Sequence, residues 1–163
     1  MIGGKKYFAI GFLNKSGGYE LRNPYFKGSA SPKDITIIDN DKADISVFEG
    51  FFDFLSFMAI QQSQQVPLTN FLILNSISFF ESARAVMERH EKINLYLDHD
   101  KTGQNCTQYA LGVSKKYIDR SCLYEHYKDL NDWTMNIGKQ QKVELREQEG
   151  LRSSASDKLG RKF

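Results

Sequence analysis

Cysteine, proline and long apolar runs are all scarce in this sequence, and each scarcity excludes a class of protein. The 163 residues include only two cysteines and three prolines. Cys106 and Cys122 stand in unrelated contexts, so they form neither a disulfide framework nor a zinc site, and they favour a reducing compartment. No apolar run approaches the ~18 residues of a membrane span. The first residues also lack the apolar core of a signal peptide. We therefore expect a cytoplasmic protein.

The composition is sufficient for a packed core, with 40% hydrophobic and 13% aromatic residues. The length suits one domain with a small extra lobe or a tail. The net charge of +2 is unevenly distributed: residues 1–34 carry +4, residues 35–138 carry −5 and residues 139–163 carry +3. An acidic middle between basic ends would suit a metal site bordered by polyanion-binding surfaces. Ordinary surface variation explains the same distribution equally well.

The first 40 residues read as β structure. We predict a strand over Lys6–Leu13, a turn over residues 14–18, a return strand over Tyr19–Arg22 and another short strand over Ile35–Ile38. A loop containing Pro24, Gly28 and Pro32 is predicted between the last two strands. This segment is expected to form a small β-rich lobe, residues 1–40.

From Asp44 onward the pattern alternates between short apolar runs and helical periodicity. The predicted strands are Ile45–Phe48, Phe71–Leu74, Ile93–Leu97 and Ser121–Tyr124. The predicted helices are Phe51–Gln65, Phe79–His90 with Ser78 as its N-cap, Gly103–Ile118 and a last one over Asp132–Ile137. This order predicts an α/β domain over residues 41–138, with a four-stranded parallel sheet and helices on both faces. The polar basic tail, residues 139–163, is expected to be disordered.

Acidic residues follow three of the predicted strands. Parallel strands place their carboxyl ends at one edge of the sheet, where α/β proteins bind ligands. The acids are Glu49 and Asp53 after the first strand, Asp98 and Asp100 after the third, and Asp129 and Asp132 after the fourth. Clustered carboxylates repel one another, and a cation relieves that repulsion. Oxygen ligands without histidine or cysteine favour Mg²⁺ or Mn²⁺ over zinc.

Each acid also has a simpler structural explanation when it is taken alone. Asp53 would complement the dipole of the helix that it begins. Asp98 and Asp100 could cap the following helix, and the two later aspartates could be loop and N-cap residues. Glu49 is harder to explain in this way, because a glutamate followed by glycine directly after an apolar strand has little structural purpose.

The segments EGFFD and LYLDHDKTG resemble the two signature motifs of the Toprim fold, which bacterial primases, topoisomerases and certain nucleases share. The matching positions are Glu49, Gly50, Asp53, Asp98, Asp100 and Gly103. Lys128-Asp129-Leu130-Asn131-Asp132 resembles the acidic segment that follows the fourth strand in primase-type members. The resemblance covers about residues 44–138 and implies a Toprim, Rossmann-like fold.

The upstream segment GFLNKSGGYELRNPYFKGS, followed by PKDIT, resembles the small lobe that precedes Toprim in primase-related proteins. The likeness is greatest to those of mobile elements in Bacteroidetes-type bacteria. Such proteins often carry a zinc-binding domain further upstream. This chain has no corresponding Cys/His cluster, so the resemblance implies a fragment or a truncated member of a larger protein.

The resemblance also implies roles for individual residues. Glu49 would be a general acid/base or a metal ligand, Asp98 and Asp100 would bind Mg²⁺, Asp129 and Asp132 would complete a second metal site, and Asp53, Gly50 and Gly103 would support them. Four basic residues would bind the phosphates of nucleic acid or nucleoside triphosphates: Arg22, Lys27, Lys33 and Lys101. The implied partners are single-stranded DNA, nucleoside triphosphates, and a helicase or other replication or mobilisation proteins.

Three functions are compatible with this constellation. The first is a primase-like nucleotidyltransferase that makes RNA primers, the second is a Toprim-type nuclease with the same acids, and the third is a non-catalytic module that binds magnesium and nucleic acid. Dinucleotide oxidoreduction is disfavoured because no G-x-G-x-x-G motif follows the first α/β strand.

Overall fold

The computed structural model describes residues 8–64 and 67–137. The predicted tail, the first two residues of the first predicted strand and Gln65 lie outside the described residues. Within the described parts of the chain, no helix is long and apolar enough to cross a membrane.

The N-terminal lobe is an antiparallel sheet of three strands, β1 (Ile10–Leu13), β2 (Tyr19–Asn23) and β3 (Phe26–Ala30). The predicted turn and return strand are confirmed, and the predicted first strand is confirmed over Ile10–Leu13. The prediction of a loop after the return strand is wrong for residues 26–30, because these residues form β3. The Asn23 side chain accepts a hydrogen bond from the Tyr25 N–H at 2.8 Å, which closes a tight turn and lets the chain return directly as a strand.

The main sheet has five strands in the order β4-β6-β5-β7-β8. They are β4 (Thr36–Ile38), β5 (Ile45–Phe48), β6 (Asn70–Ile73), β7 (Ile93–Tyr96) and β8 (Tyr117–Asp119). The last four are parallel, as predicted, whereas β4 pairs antiparallel with β6 at one edge. The strand predicted over Ile35–Ile38 therefore extends the large sheet and does not pair within the small lobe.

Among the described residues, four α-helices accompany this sheet: α1 (Phe51–Gln64), α2 (Phe80–Met87), α3 (Lys101–Val113) and α4, which is described over residues 130–137. The fourth parallel strand was predicted over Ser121–Tyr124, and that position is wrong, because those residues form a short 3-10 helix. The chain leaves α3 through an extended Ser114, with φ −154°. Tyr117 is then buried in the core, so packing turns the end of the predicted third helix into β8.

The predicted N-cap of α2 is also wrong. A 3-10 helix over Ile77–Phe79 precedes α2, and no side chain caps either of them. The Ser78 hydroxyl instead lies 2.9 Å from the Ser76 hydroxyl.

The helices cover both faces of the main sheet. Buried residues of α2 and α3 pack on one face, and the phenylalanines of α1 pack on the other with Tyr124 and Leu130. The chain runs from β5 to β6 on one side and from β7 to β8 on the other. The sheet therefore has a topological switch point between β5 and β7, which is where open α/β sheets bind their ligands.

The small lobe docks on the main domain through aromatic stacking. Phe12 of β1 lies parallel to Phe51 of α1, with ring centroids 5.1 Å apart and an interplanar angle of 3°. The β1–β2–β3 register aligns Phe12 with Glu20 and Ser29, and aligns Ile10 with Arg22 and Lys27. Side chains of aligned residues share one face of a sheet. The Phe12 contact therefore turns the basic residues Arg22 and Lys27 toward the main domain.

Gly103 permits a close contact between α3 and the end of β7. A Cβ atom at this position would lie 2.2 Å from the backbone oxygen of Asp98.

We expect Gly103→Ala to lower the free energy of unfolding by about 2 kcal/mol or more, because the backbone cannot move aside as a flexible side chain can. Gly112→Ala in the same helix is the matched control, since a Cβ there meets nothing within 4 Å. It should raise stability by up to about 1 kcal/mol. Urea unfolding of both variants tests this, and equal stabilities would contradict it.

Candidate active site

Three carboxylates meet at the switch point of the sheet. Asp53 lies in the first turn of α1, Asp98 follows β7, and Asp129 precedes α4. One carboxylate oxygen from each lies within 4.8 Å of the others. Asp53 is only 7% exposed, and the other two are partly buried. Three distant segments of sequence thus supply one compact group of oxygen atoms.

Asp53 is held in place by the beginning of α4. Its Oδ1 accepts a hydrogen bond from the Asn131 backbone N–H at 3.1 Å. The Ser56 hydroxyl, one turn further along α1, donates to Asn131 Oδ1 at 3.2 Å. These two bonds join α1 to α4 beside the acidic group.

Glu49 stands beside this group at the end of β5. Its Oε2 accepts a hydrogen bond from the Asp98 backbone N–H at 3.3 Å. This contact bridges the carboxyl ends of β5 and β7. Glu49 is therefore fixed next to Asp98, although it is not one of the three clustered aspartates.

His99 connects the segment carrying Asp98 to the segment carrying Asp129. Its backbone N–H donates to the Lys128 carbonyl at 2.8 Å. Its ring Nδ1 lies 2.7 Å from the Tyr127 carbonyl. A carbonyl can only accept, so Nδ1 carries the hydrogen in this contact. His99 thus holds the 127–128 backbone, and with it Asp129, against the end of β7.

The remaining two predicted metal-binding acids lie at the beginnings of helices. Asp100 is the N-cap of α3, and its Oδ1 accepts the N–H groups of Thr102 and Gly103, each at 2.9 Å. Asp132 lies near the start of α4, with Oδ1 3.1 Å from the Asn136 side-chain amide. Of the four aspartates predicted as metal ligands, the structure brings together Asp98 and Asp129 and places Asp100 and Asp132 outside the group. The third member is Asp53, which was expected only in a supporting role.

Burial and mutual repulsion raise the carboxyl pKa values of the acidic group. Burial and then the charges of Asp129 and Asp98 raise the pKa of Asp53 to about 7. Burial and the charge of Asp129 raise the pKa of Asp98 to about 6. Burial and the charge of Asp98 raise the pKa of Glu49 to about 7. A divalent cation would relieve this repulsion, and an all-oxygen ligand set fits Mg²⁺ or Mn²⁺. The residues present therefore fit the implied metal.

The acidic group opens into a cleft of about 450 Å³ between the small lobe and the main sheet. Three of the four basic residues predicted to bind phosphate line this cleft: Arg22, Lys27 and Lys33. Lys101 does not line it and is exposed at the start of α3. Lys128, which sequence reasoning did not single out, also lines the cleft, and its Nζ lies 3.9 Å from Asp129 Oδ2. The cleft thus combines clustered acids on one wall with three cations and one acid, Glu20, from the opposite lobe.

Sequence reasoning also missed Asn75, a cleft residue at the carboxyl end of β6. It adopts a left-handed conformation, with φ 62°. Its side-chain amide donates to the Asp34 carbonyl at 2.9 Å, whereas its Oδ1 is buried without a hydrogen-bond partner among the described residues. The available signal was its position directly after the apolar run FLIL, equivalent to the place of Glu49 after ISVF.

The raised carboxyl pKa values predict an unusual dependence of stability on pH. The folded state keeps protons that the unfolded state releases near pH 4, so this stabilisation is complete below about pH 4 and is lost as the pH rises through 6 to 7. Each tenfold change in proton affinity is worth about 1.4 kcal/mol. Asp53 alone should therefore reduce the free energy of unfolding by on the order of 2–4 kcal/mol between about pH 4 and pH 8.

Melting temperatures measured in EDTA should fall across this range, and added Mg²⁺ should restore them most strongly at the higher pH. Asp53→Asn should flatten the profile because asparagine does not titrate. A wild-type profile in EDTA as flat as that of the variant would contradict this origin of the pH dependence.

An α/β sheet with clustered acids at its switch point and a basic cleft beside them is the arrangement expected of a Toprim domain. The model of the Toprim-like family matches residues 46–134, more than half of the chain. The chain therefore belongs to the Toprim-like family, which confirms the prediction made from EGFFD and LYLDHDKTG. A second model, described as a domain of unknown function, matches residues 1–31.

Solved structures show the same fold. The chain is similar to the primase fragment of the bacteriophage T7 primase-helicase protein, with a TM-score of 0.58 and 19% identity over 83% of this chain and 60% of that fragment. It is similar, with a TM-score of 0.57 and 19% identity, to a chain in the complex of the T7 lagging-strand DNA polymerase with primase domains of two gp4 subunits bound to an RNA/DNA hybrid and dTTP. That match covers 83% of this chain and 74% of the other. This chain spans less than two thirds of the T7 fragment, and no curated protein matches its sequence.

Proposed function

We propose that this chain is a primase-like nucleotidyltransferase domain that joins nucleoside triphosphates on a single-stranded DNA template in a Mg²⁺-dependent reaction. The proposal rests on one observation: the three clustered aspartates face basic residues of the small lobe across one cleft. The fold shared with a T7 primase fragment supports it. The small lobe favours a primase over a nuclease that uses the same acids, because it adds a cationic wall for a template and triphosphates.

Asp53, Asp98 and Asp129 would hold the divalent ion. When bound, the ion would neutralise phosphate charge and stabilise the charge that develops in phosphoryl transfer. Arg22, Lys27 and Lys33 would bind the phosphates from the opposite wall, which orients the reacting groups over the acids.

Glu49 is the proposed general acid/base. Its pKa of about 7 places it where a side chain can both accept and donate a proton near neutral pH. Its Oε2 is engaged with the Asp98 N–H, so Oε1 is the oxygen that would take the proton from the attacking hydroxyl. The bond to Asp98 also orients the carboxylate toward the acidic group.

The direct test is incubation of the protein with single-stranded DNA, labelled nucleoside triphosphates and Mg²⁺. Labelled oligomers that depend on the template are the expected product. Shortened DNA without labelled oligomers would assign the same acids to a nuclease. Binding of DNA with neither product would assign the chain to the non-catalytic class and contradict the proposal. Adding a helicase to the same assay tests the partner that the resemblance implies.

A further inference from the structure

A second concavity of about 850 Å³ adjoins the catalytic cleft, and we call it the aromatic groove. Its lining residues come from the small lobe, α1 and α4: Phe8, Ala9, Ile10, Arg22, Asn23, Pro24, Tyr25, Phe26, Lys27, Phe52, Asn131 and Met135. We propose that it binds single-stranded nucleic acid by stacking bases on its exposed rings. This inference rests on the proposed function and assigns the surface that guides the strand into the cleft.

Two rings of the aromatic groove are almost fully exposed to solvent. Phe8 is 89% exposed and Tyr25 is 95% exposed. Asn23 holds both segments, because its Nδ2 donates to the Phe8 carbonyl at 2.8 Å and its Oδ1 accepts the Tyr25 N–H at 2.8 Å. The backbone carrying the two rings is therefore fixed although the rings themselves have little packing in the fold. With the exposed Ile10 and Phe26 of the same lining, the two rings form an apolar patch of the kind that marks binding surfaces.

The charge of the aromatic groove is complementary to a polyanion. Among the described residues, its lining includes two cations, Arg22 and Lys27, and no acid. Arg22 also lies over the Phe52 ring, with its guanidinium carbon 5.2 Å from the centroid. Stacking rings beside a cationic track are the means by which proteins bind single strands without sequence preference.

The aromatic groove is continuous with the catalytic cleft. Arg22 and Lys27 line both concavities. A strand whose phosphates contact these two residues can place one part over the exposed rings and the next part over the acids. This continuity favours a nucleic-acid strand over a protein partner as the occupant, since a protein bound on the rings would gain nothing from leading into the metal site.

The test measures binding of a fluorescent oligothymidylate by anisotropy in EDTA, so that neither metal nor turnover is needed. An abasic oligomer of the same length is the second probe, because it keeps the phosphates and lacks the stacking bases. Phe8→Ala and Tyr25→Ala should each weaken oligothymidylate binding about fivefold or more and leave abasic binding unchanged. Tyr25→Trp should retain the wild-type affinity, because tryptophan also stacks.

Tyr109→Ala is the matched control, since Tyr109 is a half-exposed aromatic residue of α3 that does not line the aromatic groove. It should bind both probes as the wild type does. The proposal is overturned if the wild type fails to bind the strand, if it binds the two probes equally, or if the alanine variants match it. Self-association that Tyr25→Ala abolishes, without strand binding, would also overturn it and assign the aromatic groove to a protein contact. Base-dependent binding with no primer synthesis would support the proposed role of the aromatic groove. It would contradict only the proposed polymerase function.

Discussion

Asp98→Asn should abolish Mn²⁺ binding while raising the melting temperature of the metal-free protein. Asp98 is one of the three clustered aspartates, and burial together with the Asp129 charge raises its pKa to about 6. Asparagine removes both the anionic ligand and the repulsion, so affinity for a cation and stability without it should change in opposite directions. Mn²⁺ titration followed by electron paramagnetic resonance measures the first effect, and a thermal melt in EDTA measures the second.

The double variant Asp98→Asn/Asp100→Asn should also lose Mn²⁺ binding and melt at a higher temperature without metal. Asparagine caps a helix about as well as aspartate does, so α3 should keep its N-cap at position 100. Asp44→Asn is the matched control, because Asp44 precedes β5 at the opposite edge of the sheet. It should leave the Mn²⁺ titration unchanged. A double variant that titrates like the wild type would contradict a metal site at this edge.

Glu49→Gln should lower turnover about 10²-fold or more, the usual scale for losing a general acid/base. The glutamine oxygen can still accept the Asp98 N–H, so the contact between β5 and β7 is kept. Stability should stay level or rise, because the substitution removes a partly buried carboxyl group that the charge of Asp98 repels. The measurement pairs a metal-free melt with turnover in the nucleic-acid assay that the wild type supports.

Glu91→Gln supplies the control for this substitution. Glu91 is exposed just before β7, at the edge of the sheet remote from the acids, and its variant should keep full activity. Full activity of Glu49→Gln would remove Glu49 from the mechanism. A large fall in its melting temperature would mark Glu49 as a structural residue.

The sequence was sufficient to locate the acidic site because parallel strands fix where their carboxyl ends lie. Glu49 and Asp98 follow short apolar runs that are typical of buried parallel strands, so the sequence pattern predicts that the two acids meet at one edge. The sequence did not show which of the neighbouring aspartates belong to the clustered group. Asp53 lies in the first turn of α1 and Asp100 is the N-cap of α3, so both have local roles at a helix start. Only the fold shows that Asp53 lies beside Asp98, next to the start of α4, whereas the backbone of α3 engages Asp100.

The errors in the fold share one physical cause, which is that tertiary packing overrode local pattern. The run SCLY has the composition of a strand, yet Tyr124 is buried against the α1 face of the sheet and its hydroxyl bonds to the Leu97 carbonyl. Residues 117 and 118 read as the end of a helix, yet they begin β8, which completes the sheet beside β7. In the same way, the edge strand β4 has a short apolar pattern that does not reveal which of two sheets it joins.

Asp129 reaches the acidic group on the segment that leads into α4, whereas the other two aspartates follow strands of the sheet. The bonds of His99 to the Tyr127 and Lys128 carbonyls and of Asp53 to the Asn131 N–H make the docking of that helix part of the site itself. Assembly of the ion site and docking of α4 are therefore linked equilibria. An ion bound by the three aspartates would strengthen the attachment of the helix, and any change that loosens the helix would weaken the ion's binding by the same free energy.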